Sequence, residues 1–237
     1  MLLSRSLIDM FVDNFIGQNG KNLELVLYGL SNTLLITFFA ILIGIFIGVF
    51  LALARVSYMR SRKPNVVQKI LNGIAHCYIT IIRGTPVALQ LLIIYMAVFN
   101  LQGPPIVVGS IALGINSGAY VAEIIRAGIM AVDKGQTEAG LSLGLKSGTI
   151  MYKIVAPQAL KNILPALGNE FIAILKETAL LGMASIMELT FASQQIIALT
   201  RDYLFNLVCI GIVYLLIVMV ITFLLRLLER RLSRSER

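Results

Sequence analysis

Three groups of polar residues interrupt stretches that are otherwise apolar: Arg83, Thr85 and Pro86; Asn116 and Tyr120; and Lys176, Glu177 and Thr178. A charged side chain at the centre of a membrane-spanning helix costs at least ~2.5 to 3.5 kcal/mol on insertion scales, so such groups face a bundle interior or a wet cavity. The chemistry on offer is recognition of charge. Thr85-Pro86 fits a helix N-cap followed by proline at the first helical position. A span broken there aims the free backbone N–H groups of its second half at an anion such as a carboxylate. Glu177 then holds an ammonium or a cationic side chain. The competing reading is structural, with Arg83, Lys176 and Glu177 pairing with one another or capping broken backbone. Lys176 and Glu177 are adjacent, about 100° apart on a helix, which keeps them off a common face. Glu123 and Arg126 lie one helical turn apart and read as an intrahelical ion pair, with a gate contact as the alternative.

Bond-breaking chemistry is not indicated. His76 is the single histidine, and no nucleophile-base or metal-ligand set accompanies it. Cys77 and Cys209 read as free thiols buried in apolar surroundings.

The elements that position these groups follow from hydropathy. With 58% hydrophobic and 14% charged residues and a mean hydropathy of +0.87, the chain is too apolar for an ordinary soluble domain. Its 237 residues suit about five spans of ~20 apolar residues each. Span one is the uncharged run 25–54, carrying Ala40, Gly44, Gly48 and Ala52 at every fourth position. That ridge lets another helix come close, in this chain or in a second subunit. Span two lies within 70–99 and is interrupted at 83–86; a turn with Asn100, Gly103, Pro104 and Pro105 follows. Spans three, four and five are expected over 106–127, 162–187 and 204–225, with midpoints near Thr85, Ser117, Leu175 and Leu215 for spans two to five. The segment 133–161 is too polar to cross and reads as a loop with its own helices.

Residues 1–24 read as an N-terminal amphipathic segment: Leu7, Phe11 and Phe15 recur at helical spacing with Asp9 and Asp13 elsewhere, as in a helix lying on the membrane surface, with a frayed terminus as the alternative. No signal-peptide pattern is evident there. Residues 25–228 make up the transmembrane domain and 229–237 a basic tail. Lys and Arg collect on one side: Arg55, Arg60, Arg62, Lys63 and Lys69 in the first linker, Arg126, Lys134, Lys146, Lys153 and Lys161 in the long loop, and Arg226, Arg230, Arg231, Arg234 and Arg237 in the tail. Arg5, Lys21 and Arg201 are left for the other. The positive-inside rule makes the first side cytoplasmic, with the N-terminus outside. The net charge of +8 flanks apolar runs rather than forming one basic surface, which argues against nucleic acid.

The loop reads Gly135-Gln136-Thr137-Glu138-Ala139-Gly140-Leu141-Ser142-Leu143-Gly144, then Ile154 and Pro157. It resembles the E-A-A-x-x-x-G-x9-I-x-L-P signature of permease subunits of ATP-binding-cassette (ABC) importers. Glu138, Ala139, Gly144, Ile154 and Pro157 match; Gly140 replaces the second alanine and Ala156 the leucine, which points to a locally looser helix. Arg83-Gly84-Thr85-Pro86 with Gln90-Leu91, Gly118-Ala119-Tyr120 with Glu123 and Arg126, and Lys176-Glu177-Thr178 resemble the polar amino-acid uptake branch, over roughly residues 25 to 225. The resemblance implies an all-α bundle of five transmembrane helices with a cytoplasmic coupling helix between spans three and four. It also implies an ATPase dimer that carries ATP and Mg and grips that helix, a second permease subunit, identical or homologous, an external amino-acid-binding protein, and a bacterial plasma membrane as the site. Residues 140–147 miss the nucleotide-binding loop pattern, so hydrolysis is expected on the partner chain and no cofactor in this one. Two rivals stand beside this reading: an ion-coupled secondary transporter using Glu177, and a membrane enzyme, which lacks a residue set.

Overall fold

The computed structural model describes residues 6, 9–10, 12–16, 20–61 and 63–234, and every regular element among them is helical. Leu7, Phe11, Arg5, Arg62 and Arg237 lie outside the described residues. The first long helix, α1 (Lys21–Arg60), covers the uncharged run and overshoots it at both ends. Its 40 residues span about 60 Å at 1.5 Å each, twice the hydrocarbon thickness. α2 (Val66–Gly84) starts at a reciprocal cap in which the Asn65 side chain accepts from Gln68 N–H and the Gln68 side chain accepts from Asn65 N–H, at 2.8 and 3.0 Å. α3 (Val87–Ala97) continues it after a 108° bend. α4 (Pro105–Met130) opens with proline at its first turn, and α5 (Lys134–Ser142) is the short helix of the polar loop. α6 (Ala156–Glu177), α7 (Leu189–Thr200) and α8 (Tyr203–Arg234) complete the chain.

α1, α4 and α8 are long and apolar enough to cross a bilayer, and the bent pair α2–α3 qualifies as one further broken span. α4 is the central helix. Its residues are buried nearly all round, which is why Ser110, Asn116 and Ser117 are tolerated in it. α1 packs along α4 in parallel: a Cβ on Gly44 would sit 2.8 Å from Ser117 Oγ, and one on Gly48 2.6 Å from Val121 Cγ1. From the other side, a Cβ on Gly114 or Gly118 would meet Ile43 or Ile47 at 2.7 Å. The small-residue ridge of α1 therefore packs inside this chain.

The fourth span differs from expectation at both ends. Helical turns begin at Ser147, pass through a π-turn at Met151–Val155 and run on into α6, so residues 147–161 lead helically into the fourth span instead of forming separate loop helices. Ile150, Val155 and Ala159 pack with Ile129 and Val132, an apolar face that carries the helix on where hydropathy alone reads a loop. At the far end α6 stops at Glu177, ten residues early; Thr178–Ala184 tighten into a 3₁₀ turn and Ser185 takes φ +55°. Gly182 makes the turn feasible, since a Cβ there would lie 3.0 Å from Glu188 Oε1. Glu188, fully buried, accepts from Thr190 N–H at 2.7 Å and Phe191 N–H at 2.6 Å and so caps α7, a helix the hydropathy reading did not separate. Tyr214 of α8 donates to the same carboxylate at 3.0 Å.

Near the N-terminus, Val12–Ile16 form a π-turn. Phe15 is 5% exposed and packs with Val26, Leu189, Ile196 and Ile210, so it enters the protein core instead of lying on the lipid surface. Both cysteines are free, but Cys77 is exposed and Cys209 half-buried, because α2 lies on the outside of this chain. α8 runs unbroken into the basic tail as far as Arg234.

Candidate functional site

Four of the polar residues singled out in the sequence line one cleft of about 480 Å³: Arg83, Tyr120, Glu123 and Arg126, with Asn162 and Ala166 of α6 opposite. Glu123 is the hub. Arg126 donates to both its oxygens, the shortest contact being 2.8 Å, and Arg55 of α1 donates to Oε1 at 2.8 Å. Arg83 reaches only to 4.0 Å and stacks on the Tyr120 ring, 5.3 Å from its centroid. One carboxylate thus faces three guanidinium groups drawn from α1, α2 and α4. The cleft lies toward the end of α4 that leads into the polar loop, level with the Arg55 end of α1.

The break between α2 and α3 falls at Thr85-Pro86, but the capping differs from the N-cap expected of Thr85. The Thr85 hydroxyl donates back to Ile81 O at 2.9 Å, closing α2, and Pro86 takes the cap position of α3, with its carbonyl accepting from Leu89 and Gln90 N–H. The geometry favours this because proline lacks a donor and restricts the residue before it, so Thr85 extends and its hydroxyl turns to the nearest free carbonyl. Gln90 bridges the gap. Its amide N–H₂ donates to Ile82 O at 2.7 Å and to Thr85 Oγ1 at 2.7 Å, while its carbonyl accepts from Asn116 at 2.8 Å. Asn116 is 3% exposed and so spends its donor inside the fold.

Lys176, Glu177 and Thr178 lie at the end of α6 rather than mid-span. Thr178 is fully buried, donating to Leu175 O at 2.7 Å and lying 3.4 Å from the Tyr214 hydroxyl; Lys176 is exposed and Glu177 half-buried. They do not join the cleft. Glu170, two turns before Glu177 on the same face, accepts from Ser117 at 2.7 Å.

On the polar loop, Asp133 caps α5 by accepting from Gly135 N–H at 2.6 Å. Glu138 and Ala139 are exposed, and Pro157 is exposed at the head of α6. Gly140 is buried, with the Cβ position 2.8 Å from Ile150, and Gly144 ends the helix at φ +74°, a conformation that favours glycine. Leu141, Leu143 and Tyr152 project outward beside it, at 51%, 79% and 78% exposure.

The residues that sequence reasoning passed over are Arg55, Glu170 and Glu188, and Gln90 entered only as part of the family resemblance, without its bridging role. Arg55 was counted only as a linker charge, and Glu170 carried the available signal of an acid within an apolar span.

The family described as "Binding-protein-dependent transport system inner membrane component" matches residues 40–234. This chain belongs to that family. Among relatives of this permease family, the arginine transport system permease protein of Bacillus subtilis is 38% identical over 214 residues, covering 89% of this chain and 94% of that protein. The glutamine transport system permease protein of Escherichia coli is 40% identical over 168 residues, 69% of this chain and 77% of the relative. The permease also superposes on a chain from the crystal structure of an amino acid ABC transporter with histidines: TM-score 0.82, 41% identity, 97% of this chain and 100% of that one. A chain of a methionine ABC transporter in an inward-facing conformation shares the fold at 18% identity and TM-score 0.74, covering 88% of this chain. The fold is that of type I ABC permeases.

Proposed function

We propose that this chain is the translocation subunit of an importer that moves a polar or charged L-amino acid into the bacterial cytoplasm, driven by a separate ATPase. The observation that carries the reading is the collection of charged side chains in one cleft of a permease fold, next to an exposed loop helix. The names of the arginine and glutamine permease relatives support an amino acid as cargo.

Five spans are assigned: α1, the bent α2–α3 pair, α4, α6 and α8. α6, with 22 residues, measures about 33 Å, enough to cross, and its Glu170 turns inward to Ser117. The Lys and Arg distribution sets the C-terminus and α5 in the cytoplasm. α5 is the coupling helix: Gly135, Glu138, Ala139, Gly140, Gly144 and Pro157 form the docking segment, and exposed Leu141, Leu143 and Tyr152 fill an apolar cleft on the ATPase. Two permease subunits pair about a twofold axis and an external binding protein delivers the solute. Within the membrane, Arg83, Thr85, Pro86, Asn116, Tyr120, Lys176, Glu177 and Thr178 remain the substrate-pathway set; Arg83 and Tyr120 stand in the cleft itself, whereas Asn116 and Thr178 act by holding the frame.

Glu138→Lys reverses the charge of an exposed loop residue without touching the core. The expected result is a chain that inserts normally but loses co-purification with the ATPase and ATP-driven uptake of labelled arginine or glutamine into vesicles. Retained co-purification with full uptake rules out docking at α5. Uptake by the chain without any ATPase rules out the reading as a whole.

A further inference from the structure

The arginine count in the cleft exceeds what Glu123 can satisfy. Each guanidinium carries five N–H donors and suits a planar, bidentate acceptor. Arg126 and Arg55 take the two oxygens of Glu123 at 2.8 Å, Arg83 is left at 4.0 Å with its side chain 46% exposed, and Arg55 Nε is buried with no hydrogen-bond partner among the described residues. Three positive charges and one negative charge leave the site short of an anion. The cleft that contains them is open, about 480 Å³, and rimmed by the Tyr120 ring and by Asn162.

Resting on the amino-acid reading above, we infer that Arg83 and Arg126 form a carboxylate site for the transported solute, and that Glu123 is an internal carboxylate that occupies this site when no solute is present. A solute α-carboxylate takes Arg83 and part of the Arg126 fork, and Glu123 falls back on Arg55. Glu123 ties α4 to α1 through Arg55 and faces α2 through Arg83, so the exchange replaces a loose 4.0 Å contact between α4 and α2 with a bridge through the solute carboxylate. Solute binding and the packing of α4 against α2 are thereby linked through one competing group. A lipid phosphate offers a similar anion, and the lipid composition of the test separates the two sources.

The test uses the complete transporter, with its ATPase and second permease, in bilayers of zwitterionic lipid without nucleotide. The probes are L-arginine, L-glutamine and agmatine, the last being arginine without its carboxylate. The result expected is that Glu123→Gln tightens amino-acid binding by about tenfold, because the internal competitor is gone, and leaves agmatine unchanged; Arg83→Gln weakens amino-acid binding by about tenfold, again without effect on agmatine. Equal shifts for amino acids and agmatine, or none in either variant, overturn the proposal. So does an Arg83 effect that arises only when anionic lipid is added, which assigns the site to a headgroup. If amino acids stimulate the ATPase of the wild-type complex and yet both variants bind them normally, the carboxylate site alone fails. If no amino acid binds or stimulates the wild type, the amino-acid reading fails with it.

Discussion

Gly48 has no room for a side chain: the nearest atom to a Cβ is Val121 Cγ1 at 2.6 Å, with the backbone of Ala122 behind it at 2.9 Å. Gly48→Val is expected to destabilise the permease by about 1–3 kcal/mol, through overpacking that neither helix can relieve. A lower midpoint in a thermal unfolding scan in detergent checks this, and an unchanged midpoint contradicts the close seam. Glu188 is the opposite kind of residue, a buried carboxyl that stabilises because both its oxygens accept hydrogen bonds. Glu188→Ala removes the cap from two N–H groups and the acceptor of Tyr214, an expected loss of about 1–3 kcal/mol. Glu188→Gln keeps one acceptor oxygen and is expected to fall between the two, so the order of the three unfolding midpoints is the measurement.

At the scale of elements, the α2–α3 joint rests on a single amide. Gln90→Leu keeps the volume but leaves Ile82 O without its side-chain donor and Asn116 without its acceptor. The 108° bend should then become a spread of angles. Spin labels at the exposed positions Ile74 and Ile93, one on each helix, should give a broadened distance distribution, whereas a distribution as narrow as wild type means that Pro86 alone sets the bend. The break itself was legible in the sequence, because proline preceded by Arg-Gly-Thr inside an apolar run leaves few alternatives. The side-chain bonding across it was not, since hydropathy carries no information on which carbonyl a threonine hydroxyl will find. The same limit explains α6. Its start is set by Ile150, Val155 and Ala159 packing on Ile129, and its end by Glu188 arriving from eleven residues on, both of them tertiary contacts. For the site, Glu123 and Arg126 were readable as neighbours on one helix. The arrival of Arg55 and Arg83 from two other helices required the fold.

Taken whole, the permease is built around α4, with lipid-facing helices outside it. Only 6% of the most apolar stretch of α8 is buried, and Leu204, Phe223 and Met219 are more than half exposed. In water such a face would aggregate; in a bilayer it is solvated, and it contributes little to holding the bundle together. Stability therefore comes from the inner contacts, where Ile36, Leu91, Leu113 and Leu181 meet. The seam between α1 and α4 has a mechanical corollary. Backbones interlocked through Gly44, Gly48, Gly114 and Gly118 resist sliding, so the two helices swing as a single plank, and the compliance needed for alternating access is left to the slender joints at Pro86 and at residues 178–188. A disulfide stapling the plank to itself ought to be silent in transport, while one that pins either joint ought to arrest the cycle with the ATPase still able to bind nucleotide.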